Sequence, residues 1–297
     1  MKKLKKLMVW THWDLDGVVS YLIIRWTFPM AQIEYQPTTV QNFRNNYTKW
    51  LSNHNLEDYD KVFIMDLGIF EDKDLIDHEN VFIIDHHPGH DSKTYKKAKS
   101  VIKTTSGSAC MLAYKVFKRL YNINLTKQQL HLLLLADDFD SYRLELPNTV
   151  NLNTIFWDTN DKFEAFSKCF IGGFYGFNMQ QENIIKLHDL KMNKIKETIV
   201  VYAGNIDIQG KKRYVCSSFT TQYINEVADI LLADYHADVA IIVNTNTNHV
   251  SYRRQRDGDV DLAKLANEIG DGYGHEFSSG SKITDNFMNF TKNLVII

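Results

Sequence analysis

The chain has 297 residues, of which 44% are hydrophobic and 24% charged, and its formal net charge is −2. This length favours two domains, and the composition is that of an ordinary soluble globular protein. Because 34 basic residues are balanced by 36 acidic ones, the overall charge excludes a protein whose whole surface neutralises the phosphates of long nucleic acids. Any basic binding surface must be local.

The cysteines and the N-terminal stretch indicate a cytoplasmic protein. Cys110, Cys169 and Cys216 are far apart and odd in number, so they match neither a zinc motif nor a disulfide framework. Residues 2–6, four of which are lysines, precede an apolar run, 7–10, that is too short for an export signal. Since no apolar stretch has the length of a membrane span, we expect no membrane partner.

The first 140 residues alternate short apolar runs with amphipathic ones. The runs predict strands at 7–11, 33–36, 62–65 and 81–84 and helices at 18–28, 106–120 and 126–136. Such alternation implies right-handed crossovers and a doubly wound, mostly parallel sheet, so the predicted fold class is α/β. In such sheets ligands bind beyond the carboxyl ends of the strands.

The first predicted strand leads into the sequence His12-Trp13-Asp14-Leu15-Asp16-Gly17. This stretch places one imidazole and two carboxylates at the ligand-binding edge of the sheet. Carboxylates this close repel each other unless a cation lies between them, and a divalent metal ion is the usual one. Taken alone, the pattern is equally typical of a turn in which Asp16 caps a helix. Three further clusters favour the metal.

Two of these clusters follow predicted strands. They are Asp66, after residues 62–65, and Asp85-His86-His87-Pro88-Gly89, after residues 81–84. Asp66 alone would be an ordinary turn residue at a strand end. Adjacent histidines in an extended strand point to opposite faces, so one can bind a metal ion while the other faces the substrate, if the chain turns at Pro88-Gly89. Two solvent-facing loop histidines are the alternative.

The last cluster lies at the end of the predicted helix 126–136, which opens with a capping-box pattern. Three acids follow this helix, namely Asp137, Asp138 and Asp140. Carboxylates at a helix C-terminus oppose the helix dipole, and a metal ion would offset that repulsion.

The second half of the chain begins a new α/β pattern after a polar helical stretch at residues 179–196. Strands are predicted at 199–202, 214–216, 237–243 and 249–253 and helices at 223–235 and 260–269. We therefore expect a catalytic domain over residues 1–180, a helical connector over 181–197 and a smaller α/β domain over 198–297.

A glycine-rich segment, residues 270–280, follows the last predicted helix. Glycines this dense let backbone amides approach an anion, and Ser278-Ser279-Gly280 predicts a helix whose N-terminus binds phosphate. Arg253, Arg254 and Arg256 lie upstream, and guanidinium groups match phosphate oxygens. A plain turn and a solvated strand end are the alternatives.

Together these motifs resemble the DHH phosphoesterase family with its C-terminal DHHA1 domain, and the resemblance spans nearly the whole chain. The stretch 12–17 is similar to the family's H-x-D-x-D-G motif, Asp66 to its second motif, and Asp85-His86-His87 to the motif that names the family. Asp138-Phe139-Asp140-Ser141-Tyr142 resembles the fourth motif, an Asp with an aromatic residue four positions later, although Asp137 competes with Asp138. Residues 250–253 and 272–280 resemble the DHHA1 signatures, although Tyr273 interrupts the usual glycine run.

The resemblance implies two divalent metal ions, with Mn²⁺ the first choice and Mg²⁺ or Co²⁺ as alternatives. One ion would bind His12, Asp14 and Asp66, and the other Asp16, Asp66, His86 and Asp138, so that Asp66 bridges them. Two ions about 3.5–4 Å apart can share a hydroxide nucleophile and bind the phosphoryl oxygens. His87 would be the donor or general acid, and Asp85 would orient the histidines. The substrate-binding residues would be Ser251, Arg253, Gly272, Gly274 and His275.

The implied function is a Mn²⁺-dependent phosphodiesterase of short nucleotides, whether oligoribonucleotides, linear or cyclic dinucleotides, or 3′-phosphoadenosine 5′-phosphate. The alternatives are a RecJ-like single-strand exonuclease and a non-catalytic nucleotide-sensing protein. The near-neutral net charge argues against a groove that binds long nucleic-acid strands. Every expected metal-ligand position carries a suitable residue, which argues against a non-catalytic sensor. We expect no binding of long duplexes. The sequence is compatible with both a monomer and a dimer.

Overall fold

The computed structural model describes residues 5–87, 91–104, 107–255 and 257–297, apart from the side chains of Phe70 and His275. The chain divides into two compact units, Met1–Lys186 and Leu187–Ile297. None of the helices in the described ranges combines the length and the apolar character that crossing a membrane requires.

The first unit is built on a parallel sheet. Its strands are β1 (Lys6–His12), β2 (Gln32–Thr38), β3 (Lys61–Met65), β4 (Val81–Asp85) and β5 (Lys99–Ile102). The described strands are ordered β2-β1-β3-β4-β5, and every neighbouring pair is parallel. The chain order reverses between β1 and β3, and ligands bind at the carboxyl ends of strands at such a switch point.

Helices cover both faces of this sheet, which confirms the doubly wound prediction. They are α1 (Leu15–Thr27), α2 (Val40–Leu51), α3 (Lys73–Ile76), α4 (Ala109–Tyr121), α5 (Lys127–Asp140), α6 (Thr149–Asp158) and α7 (Lys162–Cys169). Alternate strand residues divide the core, because successive side chains point to opposite faces. Val9 and Phe63 pack in the core that contains α1, α4 and α5, whereas Trp10 and Ile64 pack in the core that contains α2.

The junction between β1 and α1 explains the local sequence. Asp14, and not Asp16 as the turn interpretation assumed, is the N-cap of α1, and its Oδ1 accepts the Gly17 N–H at 2.8 Å. A Cβ at Gly17 would lie 2.1 Å from the His12 carbonyl oxygen. Only glycine therefore lets the helix begin this close to the end of the strand.

The second unit contains a mixed sheet, and α8 (Met179–Thr198) spans the boundary between the units. The remaining elements are β6 (Tyr202–Ile208), β7 (Lys211–Phe219), α9 (Ile224–Ala233), β8 (Val239–Asn244), β9 (His249–Arg254), α10 (Leu262–Gly270), β10 (Tyr273–His275), β11 (Ser278–Lys282), α11 (Asp285–Thr291) and β12 (Val295–Ile296). Its described strands are ordered β10-β11-β9-β8-β7-β6-β12. The core with α9 and the core with α10 and α11 take alternate residues of β7 and β8.

The prediction that residues 278–280 begin a phosphate-binding helix is wrong. These residues start β11, which pairs antiparallel with β9 and β10. Gly280 lies opposite Ser251, and a Cβ at Gly280 would lie 2.7 Å from His249 Nε2. The glycine here permits close packing within a sheet.

Candidate metal centre

Acidic and histidine side chains converge at the carboxyl edge of the parallel sheet in the first unit. Three overlapping sets of possible ligands occur among the described residues, each with its ligand atoms within 4.8 Å of one another: His12, Asp14 and Asp66; Asp66, His86 and His87; Asp16, His86 and Asp140. They come from the ends of β1, β3 and β4, the first turn of α1 and the last turn of α5. The parallel topology brings these distant sequence motifs together.

The pair His12 and Asp14 is organised by its own hydrogen bonds. His12 Nδ1 lies 2.6 Å from Asp14 Oδ2, while Asp14 Oδ1 accepts the Gly17 N–H. Burial disfavours both charged groups, but their mutual attraction raises the pKa of His12 and lowers the pKa of Asp14. The motif thus holds two ligand side chains in one orientation.

Asp66 is shared by two of the sets and has an unusual conformation. Its φ is 56°, in the left-handed region that Asp tolerates better than most residues. The residue is 1% exposed, and Oδ2 has no hydrogen-bond partner among the described residues. A buried carboxylate oxygen without a partner is costly. The chemistry of the surrounding donors fits a divalent cation at this point.

His86 joins Asp66 to the third set. Its Nε2 lies 3.3 Å from Asp66 Oδ1, 3.7 Å from Asp140 Oδ2 and 3.9 Å from Asp16 Oδ2. Burial, and then the neighbouring carboxylates, raise the pKa values of Asp66 and Asp140 well above the ordinary range. Metal ions would relieve this repulsion.

Asp16 is held by the N-terminus of α4. Its two carboxylate oxygens accept the N–H groups of Ala109 and Cys110, each at 2.7 Å. A helix N-terminus favours an anion at this position. The arrangement orients Asp16 within the third set of ligands.

The structure does not bring Asp138, the ligand expected in the fourth motif, into any of these sets. Its carboxylate accepts hydrogen bonds from Thr149 Oγ1 at 2.7 Å, Leu146 N–H at 3.0 Å and Glu145 N–H at 3.3 Å. Burial opposes ionisation, but these bonds lower the pKa of Asp138. Asp140 occupies the position at the histidines that the sequence analysis had given to Asp138.

Asp137, the other candidate for the fourth motif, also lies outside the sets. Its Oδ1 accepts the N–H of Ser108 at 3.0 Å and the Ser108 hydroxyl at 2.7 Å. Its Oδ2 lies 2.6 Å from Arg143 Nη2. Both acids that precede Asp140 therefore organise the protein around the site.

His87 is hydrogen-bonded to Asp85. His87 Nδ1 donates to Asp85 Oδ1 at 2.8 Å, and Asp85 is fully buried. Burial opposes the charge of His87, but Asp85 raises the pKa of His87 above its ordinary value. A protonated imidazole held this way is suited to donate a proton.

The residues expected to bind substrate in the second unit cluster around β9 and its neighbours. Ser251 and Arg253 lie on one face of β9, since they are two residues apart. The Arg253 guanidinium donates to Tyr252 O and Asn225 Oδ1, both at 2.8 Å.

Gly272, Gly274 and His275 are the other residues of the second unit that were expected to bind substrate. A Cβ at Gly272 would lie 2.2 Å from Gly280 O, and Gly274 has a φ of 150°. His275 ends β10, but its side chain lies outside the described residues. Ser251 and Arg253 thus lie on β9, whereas Gly274 and His275 lie on β10, and β11 separates these two strands; Gly272 directly precedes β10.

Comparisons with known proteins agree with this description. The family model described as "DHH family, N-terminal domain" matches residues 6–136, which confirms the resemblance over that range. No curated protein sequence matches the chain.

Solved structures share the fold. A pGpG-specific phosphodiesterase, PggH from Vibrio cholerae, is 12% identical over 96% of this chain and 95% of its own, with a TM-score of 0.58. A DHH domain described as a member of the s1p family of ribosomal proteins is 14% identical, covering 98% and 87% of the two chains, with a TM-score of 0.68. The exonuclease RecJ bound to manganese is 12% identical, covering 97% and 88%, with a TM-score of 0.56. At these identities the likeness concerns the fold.

Proposed function

We propose that this chain, whose residues 6–136 belong to the DHH family, is a divalent-metal-dependent phosphoesterase that hydrolyses phosphodiester bonds of short nucleotides. The observation that carries the proposal is the buried Asp66 carboxylate, whose Oδ2 has no partner in the described part of the chain while ligand groups surround it. Structures of similar fold described as a phosphodiesterase and as an exonuclease support the same reaction class.

The geometry supports two overlapping metal sites. We assign His12, Asp14 and Asp66 to one ion and Asp16, Asp66, His86 and Asp140 to the other. When bound, two such ions supply an activated water and offset the charge of the phosphoryl oxygens. Mixed imidazole and carboxylate ligands suit Mn²⁺, with Mg²⁺ and Co²⁺ as alternatives. A RecJ structure of similar fold contains manganese.

The protein's own groups then bind and protonate the substrate. We assign to His87, held by Asp85, the donation of a proton to the phosphate or the leaving oxygen. In the second unit we assign substrate binding to Ser251, Arg253, Gly272, Gly274 and His275. We take residues 1–180 as the catalytic domain, 181–197 as the connector and 198–297 as the substrate-binding domain.

The test combines metal content with turnover. Protein stripped of metal with EDTA and reloaded with Mn²⁺ is assayed on graded oligoribonucleotides, linear and cyclic dinucleotides and 3′-phosphoadenosine 5′-phosphate. We expect activity only with the metal, and we expect Asp66→Asn to lose more bound metal and more turnover than His12→Gln, because Asp66 serves both sites. Full turnover in excess EDTA, with no metal found by elemental analysis, contradicts the proposal. Tight nucleotide binding with no turnover supports the sensor alternative instead.

A further inference from the structure

Five exposed lysines lie along and beside β5, the edge strand of the parallel sheet in the first unit. They are Lys93, Lys96, Lys97, Lys99 and Lys103, which we call the basic edge. Residues 91–104 contain one acid, Asp91, and its Oδ1 accepts the backbone N–H of Lys93 at 2.7 Å. This concentration of positive charge stands out in a chain with a net charge of −2.

Four of the five lysines of the basic edge have no ion pair within the described residues. Within the described residues, no carboxylate forms an ion pair with Lys93, Lys96, Lys97 or Lys99, whereas lysines elsewhere, such as Lys168 and Lys211, do pair with acids. The nearby Asp77 instead accepts the backbone N–H groups of residues 96, 97 and 98, at 2.7–2.9 Å.

Among the described residues, Lys99 lies over an aromatic ring and not beside a carboxylate. Its Nζ lies 4.6 Å from the centroid of the Phe82 ring. Burial, and then the charge of Lys99, lower the pKa of Lys61. Lys61 and Lys99 thus place two positive charges close together on this side of the sheet, and Glu79 lies near Lys61.

The basic edge begins at the candidate metal centre. β5 lies beside β4, Asp85 is opposite Ile102, and the Lys103 N–H donates to Asp85 O at 3.0 Å. The Ile102 N–H donates to Ser92 Oγ at 3.1 Å, so Lys93 lies near the same end of β5. The four residue steps from Lys99 to Lys103 cover about 13 Å of strand. A positive track therefore leads from the catalytic edge along the side of the sheet.

Protection of an edge strand is the competing explanation, because lysines on edges prevent unwanted strand pairing. However, the outer edge of β5 is already covered in part by Ser92, which contacts both Ile102 and Ser100. Edge protection also requires only charge, of either sign, whereas binding of phosphate requires positive charge. Charge reversal separates the two explanations.

We infer that the basic edge binds the phosphate backbone of a single-stranded oligonucleotide beyond the bond that is cleaved. The inference rests on the proposed phosphoesterase function, since Lys93 and Lys103 lie at the edge where that chemistry is assigned. Lysine contacts to phosphates carry no base information, so the length of the strand, and not its sequence, sets this part of the affinity. Binding of this kind weakens steeply with salt.

The experiment measures binding without catalysis. Fluorescence anisotropy in EDTA compares a labelled oligoadenylate with a labelled dinucleotide across a salt series, for the full chain and for K93E/K96E/K97E. The matched control is K115E/K118E/R119E, which makes the same charge change at exposed positions of α4. Thermal unfolding of each variant shows that it is folded, and K93Q/K96Q/K97Q repeats the test without introducing acids.

We expect K93E/K96E/K97E to bind the oligoadenylate at least tenfold more weakly than the control variant does. The slope of log K against log salt should fall in magnitude by about 2, because each single-strand phosphate contact contributes about 0.7. Dinucleotide binding should not change. If K93E/K96E/K97E binds oligoadenylate with the same affinity and the same salt slope as the control variant, the inference is wrong. Protection of the edge strand is then the explanation that remains. The binding assay contains no metal and is independent of the hydrolysis assay with Mn²⁺. A failure to hydrolyse any nucleotide in the hydrolysis assay would refute the proposed function, but it would not change the measured binding.

Discussion

At the scale of single residues, Asp140 and Asp138 have opposite roles although only one residue separates them. Asp140 lies 3.7 Å from His86 Nε2, and its pKa is raised first by burial and then by other acids. Asp138 instead accepts two hydrogen bonds from the loop after α5 and one from Thr149, the first residue of α6. The first arrangement is suited to a metal ligand and the second to a structural anchor.

We predict that Asp140→Asn weakens Mn²⁺ binding at least tenfold while apo stability stays constant or rises, because a carboxyl group crowded by other acids is replaced by a neutral amide. Asp138→Ala should instead cost roughly 3 kcal/mol of stability, because hydrogen bonds to a charged group are lost and their donors stay buried. Calorimetric titration with Mn²⁺ and thermal unfolding in EDTA measure both effects. If Asp138→Ala loses metal and Asp140→Asn loses stability, the assignment returns to Asp138.

We predict a shifted pH profile for Asp85→Asn. Asp85 raises the pKa of His87, so its removal should lower that pKa. A general acid works only when protonated, and activity therefore falls as the pH rises through its pKa. The basic limb of kcat/KM should move to lower pH in Asp85→Asn, with metal content unchanged. An unmoved basic limb together with a uniformly lower rate would show that Asp85 does not act through the protonation of His87.

Most of the candidate ligands were predictable because each follows a strand. Residues that end parallel strands meet at one edge of the sheet, so His12, Asp66 and His86 could be grouped without coordinates. Asp140 could not be chosen over Asp138 by its spacing to an aromatic residue. The partners of Asp138 include the backbone N–H groups of residues 145 and 146 and the Thr149 hydroxyl, and the path of the chain that brings them to Asp138 is not readable from the sequence.

At the scale of elements, the end of α5 and the start of α4 form one network around the site. The Arg143 guanidinium joins the two acids, with Nη2 2.6 Å from Asp137 Oδ2 and Nε 3.5 Å from Asp138 Oδ1. Asp137 also binds Ser108, the N-cap of α4, and the first N–H groups of that helix hold Asp16. The network thus links the positions of two candidate ligands, Asp16 and Asp140.

We predict that Arg143→Met destabilises the protein by about 1–3 kcal/mol, a range that allows for the partly exposed arginine, because two buried carboxylates lose the positive charge of Arg143 and keep only their hydrogen bonds. Mn²⁺ affinity should also fall, by up to tenfold, because Asp140 and Asp16 are less firmly held. Arg143→Lys retains the charge without the planar fork and should recover part of both losses. Lower stability with unchanged Mn²⁺ affinity would limit Arg143 to a purely structural role.

The elements that escaped prediction share weak or misleading local patterns. β5 is a four-residue strand, Lys99–Ile102, with two polar residues, so it shows no apolar run. α6 and α7 lie in the weakly patterned stretch after residue 140, where three-dimensional packing of Phe156 and Phe163 in the core decides the helices. Ser278-Ser279-Gly280 has the composition of a helix start, but pairing with β9 makes it a strand.

At the scale of the whole molecule, a near-zero net charge conceals a strongly uneven distribution. The acids of the metal centre and the lysines of the basic edge lie on adjoining parts of the first unit. The overall charge argues against a protein whose whole surface binds long nucleic acids. The net charge gives no information about a local concentration of lysines such as the basic edge. That feature is recognised only once β5 is known to lie beside β4.

The division of labour between the two units gives the last prediction. If the second unit binds part of the substrate, Arg253 supplies a charge-assisted contact worth roughly 1.5–3 kcal/mol. Arg253→Ala should then lower kcat/KM steeply on a dinucleotide and only weakly on bis-p-nitrophenyl phosphate, which needs the metal centre alone. Lys212→Ala is the matched control, because it removes an exposed charge from β7 of the same unit. It should change kcat/KM on neither substrate. Equal losses on both substrates in Arg253→Ala, with metal content unchanged, would mean that Arg253 serves the catalytic centre and that chemistry and substrate binding are not separated between the units.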